Sequence, residues 1–125
     1  MQSNKAFTLI ELLVALTIVG VLAAIALPAF SEFKIKSYNT QAISNLRTVL
    51  TAQEAFYTNN SSYTNDLNSL PGFTNNSDVT VTLLAADANS WSGKAYHALG
   101  DVTYCYNSDA PASLPSVSGL NSACP

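Results

Sequence analysis

Four kinds of residue in this 125-residue chain have types and spacing that could carry chemistry. The first is Glu11, a carboxylate near the start of the long apolar run FTLIELLVALTIVGVLAAIALPAF, Phe7 to Phe30. An ionised carboxylate there is costly unless it snorkels to water or finds a cation, so its presence calls for a partner. The second is the pair Cys105 and Cys124, which bracket a segment rich in Ser, Pro and Asn. A disulfide between them is expected. It would close a loop of about 20 residues, contribute about 3 kcal/mol in the chain-entropy model, and require an oxidising compartment. The alternatives are two unpaired thiols or two metal ligands, although the spacing fits no zinc pattern and His97 is the one imidazole that could join them. The third is His97 itself, which lies in a strand-like stretch and reads as a surface or packing residue. The fourth is the trio Asp87, Asp101 and Asp109, oxygen donors that lack the dense acidic spacing of a calcium loop. Serines are dispersed, with no nucleophile elbow, phosphate loop or metal-helix motif. The chain therefore reads as a non-enzyme, with no catalytic, cofactor or metal residues to assign.

The element that must position Glu11 is a helix. No charge occurs from Leu12 to Ala29, and at 1.5 Å per residue that run is about 27 Å long, close to the thickness of a bilayer core. A secretory signal would place its apolar segment before the cleavage site. Here the segment follows Ala6, the one small residue in the polar leader MQSNKA that could mark a cut, so cleavage between Ala6 and Phe7 would keep the helix on the mature chain. A short basic leader, a small residue, FTLIELL and a long apolar run together resemble the type IV pilin family, which includes the pseudopilins of type II secretion. The match covers Ala6 to about Pro28, with Ala6 where the family usually has glycine.

The resemblance implies removal of residues 1–6 by a prepilin peptidase and N-methylation of Phe7. It also implies a subunit held in the inner membrane, with its C-terminal domain outside, until a platform protein and an assembly ATPase add it to a helical homo-oligomeric filament on the cell surface. In that filament Phe7, Thr8 and Glu11 are the assembly residues: the cationic amine of a processed Phe7 meets the Glu11 carboxylate of an adjacent subunit, and Thr8 adds a hydrogen bond. Gly20 and Pro28 delimit the span in which family members lose helical hydrogen bonding on assembly. Proline lacks an amide hydrogen, and glycine weakens a helix by about 1 kcal/mol relative to alanine. Adhesion, twitching motility and DNA uptake belong to whole pili, and the chain does not choose among them. A type II secretion pseudopilin is the alternative reading.

Beyond Pro28 the pattern changes from apolar all round to apolar on one side. Between Ala29 and Leu70 there is no Gly or Pro. Ile35, Tyr38, Ala42, Leu46, Val49, Gln53 and Phe56 recur at steps of three and four, with Ile43, Leu50 and Tyr57 widening the stripe. The predicted organisation is a leader at 1–6, a transmembrane and polymerisation helix at 7–30, its amphipathic continuation at 31–60, and a globular region at 61–125. Within the last, Tyr63, Leu67, Leu70 and Phe73 are expected to pin a loop to the helix around a Pro71-Gly72 turn. Strands are expected over Val79–Leu84, Lys94–Leu99 and Val102–Tyr106, the last two joined by a two-residue Gly100-Asp101 hairpin. Pro111 and Pro115 argue against a further regular strand in the tail. The predicted fold class is α+β: a long helix packed on an antiparallel sheet of about three strands, with a disulfide-closed tail. The formal net charge of −3 argues against an electrostatic nucleic-acid binder, and no direct nucleic-acid site is evident.

Overall fold

The computed structural model describes residues 6–110, 116–119 and 124. One helix, α1 (Leu9–Asn60), is followed by a single 3-10 turn (Leu67–Ser69) and four strands, β1 (Val79–Ala86), β2 (Trp91–His97), β3 (Val102–Asn107) and β4 (Ser116–Gly119). The chain divides into two compact units, Met1–Lys34 and Ile35–Pro125, and α1 runs through the boundary.

In the first unit the helix is a bare apolar rod. Leu9, Leu13, Leu16, Val19, Leu22, Ile25 and Leu27 are all exposed, as the absence of any polar face requires of a helix without partners in its own unit. It is long and apolar enough to cross a membrane by length and composition. The helix continues without interruption through Gly20 and Pro28.

In the second unit the one-sided stripe becomes the floor of a core. Ala42, Leu46, Val49 and Gln53 are buried as their spacing predicts, and Ile35, Tyr38, Ile43, Leu50 and Phe56 are half-buried beside them. The stripe also takes in Asn39 and Ala52, both buried. The helix stops at Ser61, whose φ of 54° reverses the chain while its amide donates to the Tyr57 carbonyl at 2.8 Å. The loop that follows is pinned as its apolar residues predict, with Leu70 buried and Tyr63, Leu67 and Phe73 packed on the core. A polar lock reinforces it: Gln53 Nε2 donates to the Thr64 carbonyl at 2.6 Å, and the Thr64 amide donates back to Gln53 Oε1 at 3.1 Å. Gln53 is fully buried, so this reciprocal pair satisfies an amide that would otherwise be stranded in the core.

The sheet is antiparallel throughout, in the order β1-β2-β3-β4. On β2, Trp91, Gly93, Ala95 and His97 are buried and alternate with half-buried residues, so one face of the strand looks into the core. Trp91, 1% exposed, is the largest buried side chain and leans on Tyr106 with ring centroids 4.6 Å apart.

Three sequence expectations change. The second strand begins at Trp91 rather than Lys94, because the Asp87–Ser90 turn already ends there: the Asp87 carboxylate accepts from the Asn89 and Ser90 amides, each at 2.7 Å. The β2–β3 connection is longer than a two-residue hairpin. Its last paired residues are Tyr96 and Thr103, and the Gly100 amide donates to the His97 carbonyl at 3.0 Å inside the turn. Finally, the tail adds β4, a four-residue strand pairing Cys105 with Ser116 and Val102 with Gly119. The strand begins just after Pro115 in sequence and contains no proline, so every residue in it keeps an amide hydrogen for the ladder.

Candidate functional site

The sequence points to the N-terminal end of α1, and the structure gives that end a defined geometry. Thr8 is the residue before the helix and Glu11 lies in its first turn. The Thr8 amide and the Thr8 hydroxyl both donate to Glu11 Oε2, each at 2.9 Å, and the Glu11 amide donates back to Thr8 Oγ1 at 3.3 Å. This is a reciprocal capping box, which supplies partners to amides that the first helical turn cannot bond internally. The pattern Thr-x-x-Glu was visible in the sequence as a helix-start signal.

The capping box changes the account of Glu11. Its charge has ligands within its own chain, since Oε2 takes two hydrogen bonds from Thr8. No partner for Oε1 occurs among the described residues. Ile10, Glu11, Val14, Ala15 and Ile18 line a shallow apolar recess on the helix surface, so the carboxylate borders a greasy surface on one side of the rod. Ala6 and Phe7 precede the capping box in exposed, non-helical backbone, with Phe7 87% exposed.

Gly20 and Pro28 lie farther along the same helix, and a Cβ placed on Gly20 would meet nothing within 4 Å. Cys105 and Cys124 lie outside this site, in the second unit. They form a disulfide that ties the C-terminal tail to β3, which removes the free-thiol and metal-ligand alternatives.

The other chemistry-bearing residues are structural. His97 is 3% exposed and stacked on Tyr38 with ring centroids 4.5 Å apart, and its Nδ1 accepts from the Leu99 amide at 3.0 Å. That acceptor role fixes the imidazole hydrogen on Nε2. Asp101 is engaged by Asn39, whose Nδ2 donates to Asp101 Oδ1 at 2.6 Å while Asn39 Oδ1 accepts the Asp101 amide at 3.2 Å. Asp87 is occupied by its own turn, and the Asn89 and Ser90 amides hold its carboxyl below the usual range. Among the described residues no three His, Cys, Asp or Glu side chains converge as metal ligands. Sequence reasoning missed Asn39, Trp91 and the Gln53 lock. The first and last bind backbone or side chains distant in sequence, and no local pattern announces them.

Comparison with known proteins converges on the same end of the chain and then extends past it. Residues 1–27 match the family model described as the prokaryotic N-terminal methylation motif. The chain is 40% identical to the type IV major pilin protein PilA of Myxococcus xanthus over 67 residues, which is 54% of this chain but 30% of that protein. It is 46% identical to fimbrial protein Q of Moraxella bovis over 55 residues, 44% of this chain and 35% of the relative. With the type IV wide pilus major component PilA4 of Thermus thermophilus the likeness is nearly end to end: 32% identity over 112 residues, 87% of this chain and 86% of the relative. A capped apolar rod, a sheet unit built on the same helix and a sequence likeness spanning both together place this chain in the type IV pilin family.

Proposed function

We propose that the chain is a filament-forming subunit of a type IV pilus that polymerises through the first unit of α1. One observation carries the reading: among the described residues nothing buries the membrane-length apolar stretch of the helix. A surface of that size must be covered by lipid or by other helices. At about 25 cal/mol per Å² its gross burial amounts to tens of kcal/mol in either location. The two environments are nearly matched, so a subunit can wait in the inner membrane and transfer to a filament axis without a large net change.

The mechanism follows from the N-terminal geometry. Prepilin peptidase cuts between Ala6 and Phe7, in exposed backbone ahead of the helix cap, and the new Phe7 amine is methylated. The amine stays cationic near neutral pH. Thr8 and Glu11 keep their capping box through this processing, because neither belongs to the leader. In the membrane, Thr8 satisfies Oε2 of Glu11; in the filament, Oε1 takes the Phe7 amine of the neighbouring subunit. The pairing sets the axial register, since an amine or a carboxylate left alone in an apolar axis is an uncompensated buried ion. Gly20 to Pro28 is the span that loses helical hydrogen bonding as subunits pack. An inner-membrane platform protein and an assembly ATPase drive the transfer. The resulting homopolymer is a surface fibre serving adhesion, motility or DNA uptake.

Mass spectrometry of sheared surface fibres tests the whole sequence of events. The expected result is this chain beginning at Phe7, methylated there, with Cys105 and Cys124 oxidised. Fibres that retain Met1 overturn the reading. A second test separates storage from assembly. Glu11→Ala is expected to insert in the membrane as the parent does and to give few or no filaments, and a normal filament yield refutes the pairing.

A further inference from the structure

The other end of the first unit carries a feature that polymerisation through Phe7 and Glu11 does not use. Phe30, 65% exposed, stands at the C-terminal end of the uncharged run, and Phe33, 70% exposed, follows Glu32 just beyond it. The Lys34 ammonium stands 5.9 Å from the centre of the Phe30 ring, within reach of its π face. Lys34 makes no ion pair among the described residues.

Distance along the helix gives these three residues a location. From Glu11 to Lys34, at 1.5 Å per residue, the rod extends about 35 Å. A bilayer core is about 30 Å thick, and about 40 to 45 Å with its headgroups. A helix whose Glu11 sits at one headgroup boundary therefore presents Lys34 at the opposite one. There the aromatic rings reach the headgroup end of the acyl chains, and the lysine stem lies along apolar surface while its ammonium rises toward water. A cation seated on a ring face and not ion-paired with Glu32 or another carboxylate among the described residues is complementary to a phosphodiester.

We propose that Phe30, Phe33 and Lys34 form an interfacial anchor in which the Lys34 ammonium binds the phosphate of an anionic glycerophospholipid and the two rings seat at the acyl boundary. The proposal rests on the reading of the first unit as membrane-spanning. The anchor fixes the depth at which the stored subunit rides, and it is released when the subunit leaves the bilayer.

The test uses the full chain in nanodiscs of equal phosphatidylglycerol and phosphatidylcholine, with native mass spectrometry counting the lipids retained on the ejected protein. The expected result is an enrichment of phosphatidylglycerol in the parent, to which Lys34 contributes a factor of about five, the size expected for one lysine at an anionic surface. Lys34→Gln should lower the ratio about fivefold below that of the parent, Lys5 and Lys36 being retained, and Lys94→Gln should leave it as in the parent. Unchanged enrichment in Lys34→Gln overturns the anchor and assigns the ring surface to neighbouring copies in the filament; so does an equal loss in Lys94→Gln, or no enrichment in the parent. Failure of the chain to enter nanodiscs is a separate readout, which overturns the membrane reading and the anchor with it.

Discussion

Asn39 interrupts an apolar helical stripe, yet its side chain is the residue-scale fastening between α1 and the β2–β3 turn. It bonds the Asp101 carboxylate and the Asp101 amide together, and it is 9% exposed. Asn39→Leu is expected to lower the stability of the second unit by about 1 to 2 kcal/mol, since the apolar replacement leaves the Asp101 amide without a protein partner. Urea unfolding would measure it. Gly100 is constrained by the same fastening, because a Cβ there would stand 2.5 Å from Asn39 Oδ1. Gly100→Ala must displace the amide and should shift the midpoint in the same direction.

Two exposed carboxylates give a pH dependence of known sign. The Asn68 amide, followed by the Ser69 hydroxyl, lowers the Asp66 pKa, and the Asn89 and Ser90 amides lower that of Asp87. Depressed folded values mean that both contributions are complete above the unfolded value of about 3.9 and are lost as pH falls through the folded values. Stability should therefore decline below about pH 4, and the doubly substituted Asp66→Asn, Asp87→Asn chain should show a flatter decline in a pH series of thermal melts. The turn chemistry behind Asp66 and Asp87 is local, and Asx-type turns can be read from sequence. The Asn39 fastening joins residues 62 positions apart, and only the folded chain reveals it.

At the scale of elements, hydrophobic period carried most of the information. Steps of three and four placed Ala42, Leu46, Val49 and Gln53 in the core, because a helix repeats about every 3.6 residues whatever it packs against. Leu46, 2% exposed, is the natural probe: Leu46→Ala should cost about 2 to 5 kcal/mol, read from denaturant midpoints. Strand boundaries were less legible. Trp91 starts β2 because a turn made by Asp87 ends beside it, and the β2–β3 turn extends because His97 and Asn39 claim its backbone and side chains. The short β4 could not be read from a segment whose neighbouring prolines dominate the local signal. The disulfide that closes this region should contribute about 3 kcal/mol, so Cys105→Ser, Cys124→Ser is expected to melt at lower temperature while keeping the far-ultraviolet signature of its helix.

At the scale of the molecule, one helix serves two units with opposite solvent requirements. Residues of the second unit bury their stripe against their own sheet, whereas the first unit leaves its apolar residues for lipid or neighbours. A chain beginning at Ile35 is accordingly expected to be soluble, monomeric and disulfide-bonded, and to be absent from filaments formed by the parent; sedimentation velocity and pull-down with intact fibres would check each. The N-terminal motif made the candidate site legible because its apolar run, Glu11 and leader are contiguous in sequence. How Glu11 is held was legible as a Thr-x-x-Glu helix-start pattern, and the first turn of the helix turns that pattern into two hydrogen bonds from Thr8 to one carboxylate oxygen.

The chain contains one tryptophan, and it is walled into the second unit against Tyr106. Its emission is thus a built-in reporter on the second unit. Applied to the proposed fibres, a guanidinium titration followed by tryptophan fluorescence and light scattering together would separate unfolding of the second unit from disassembly of the polymer.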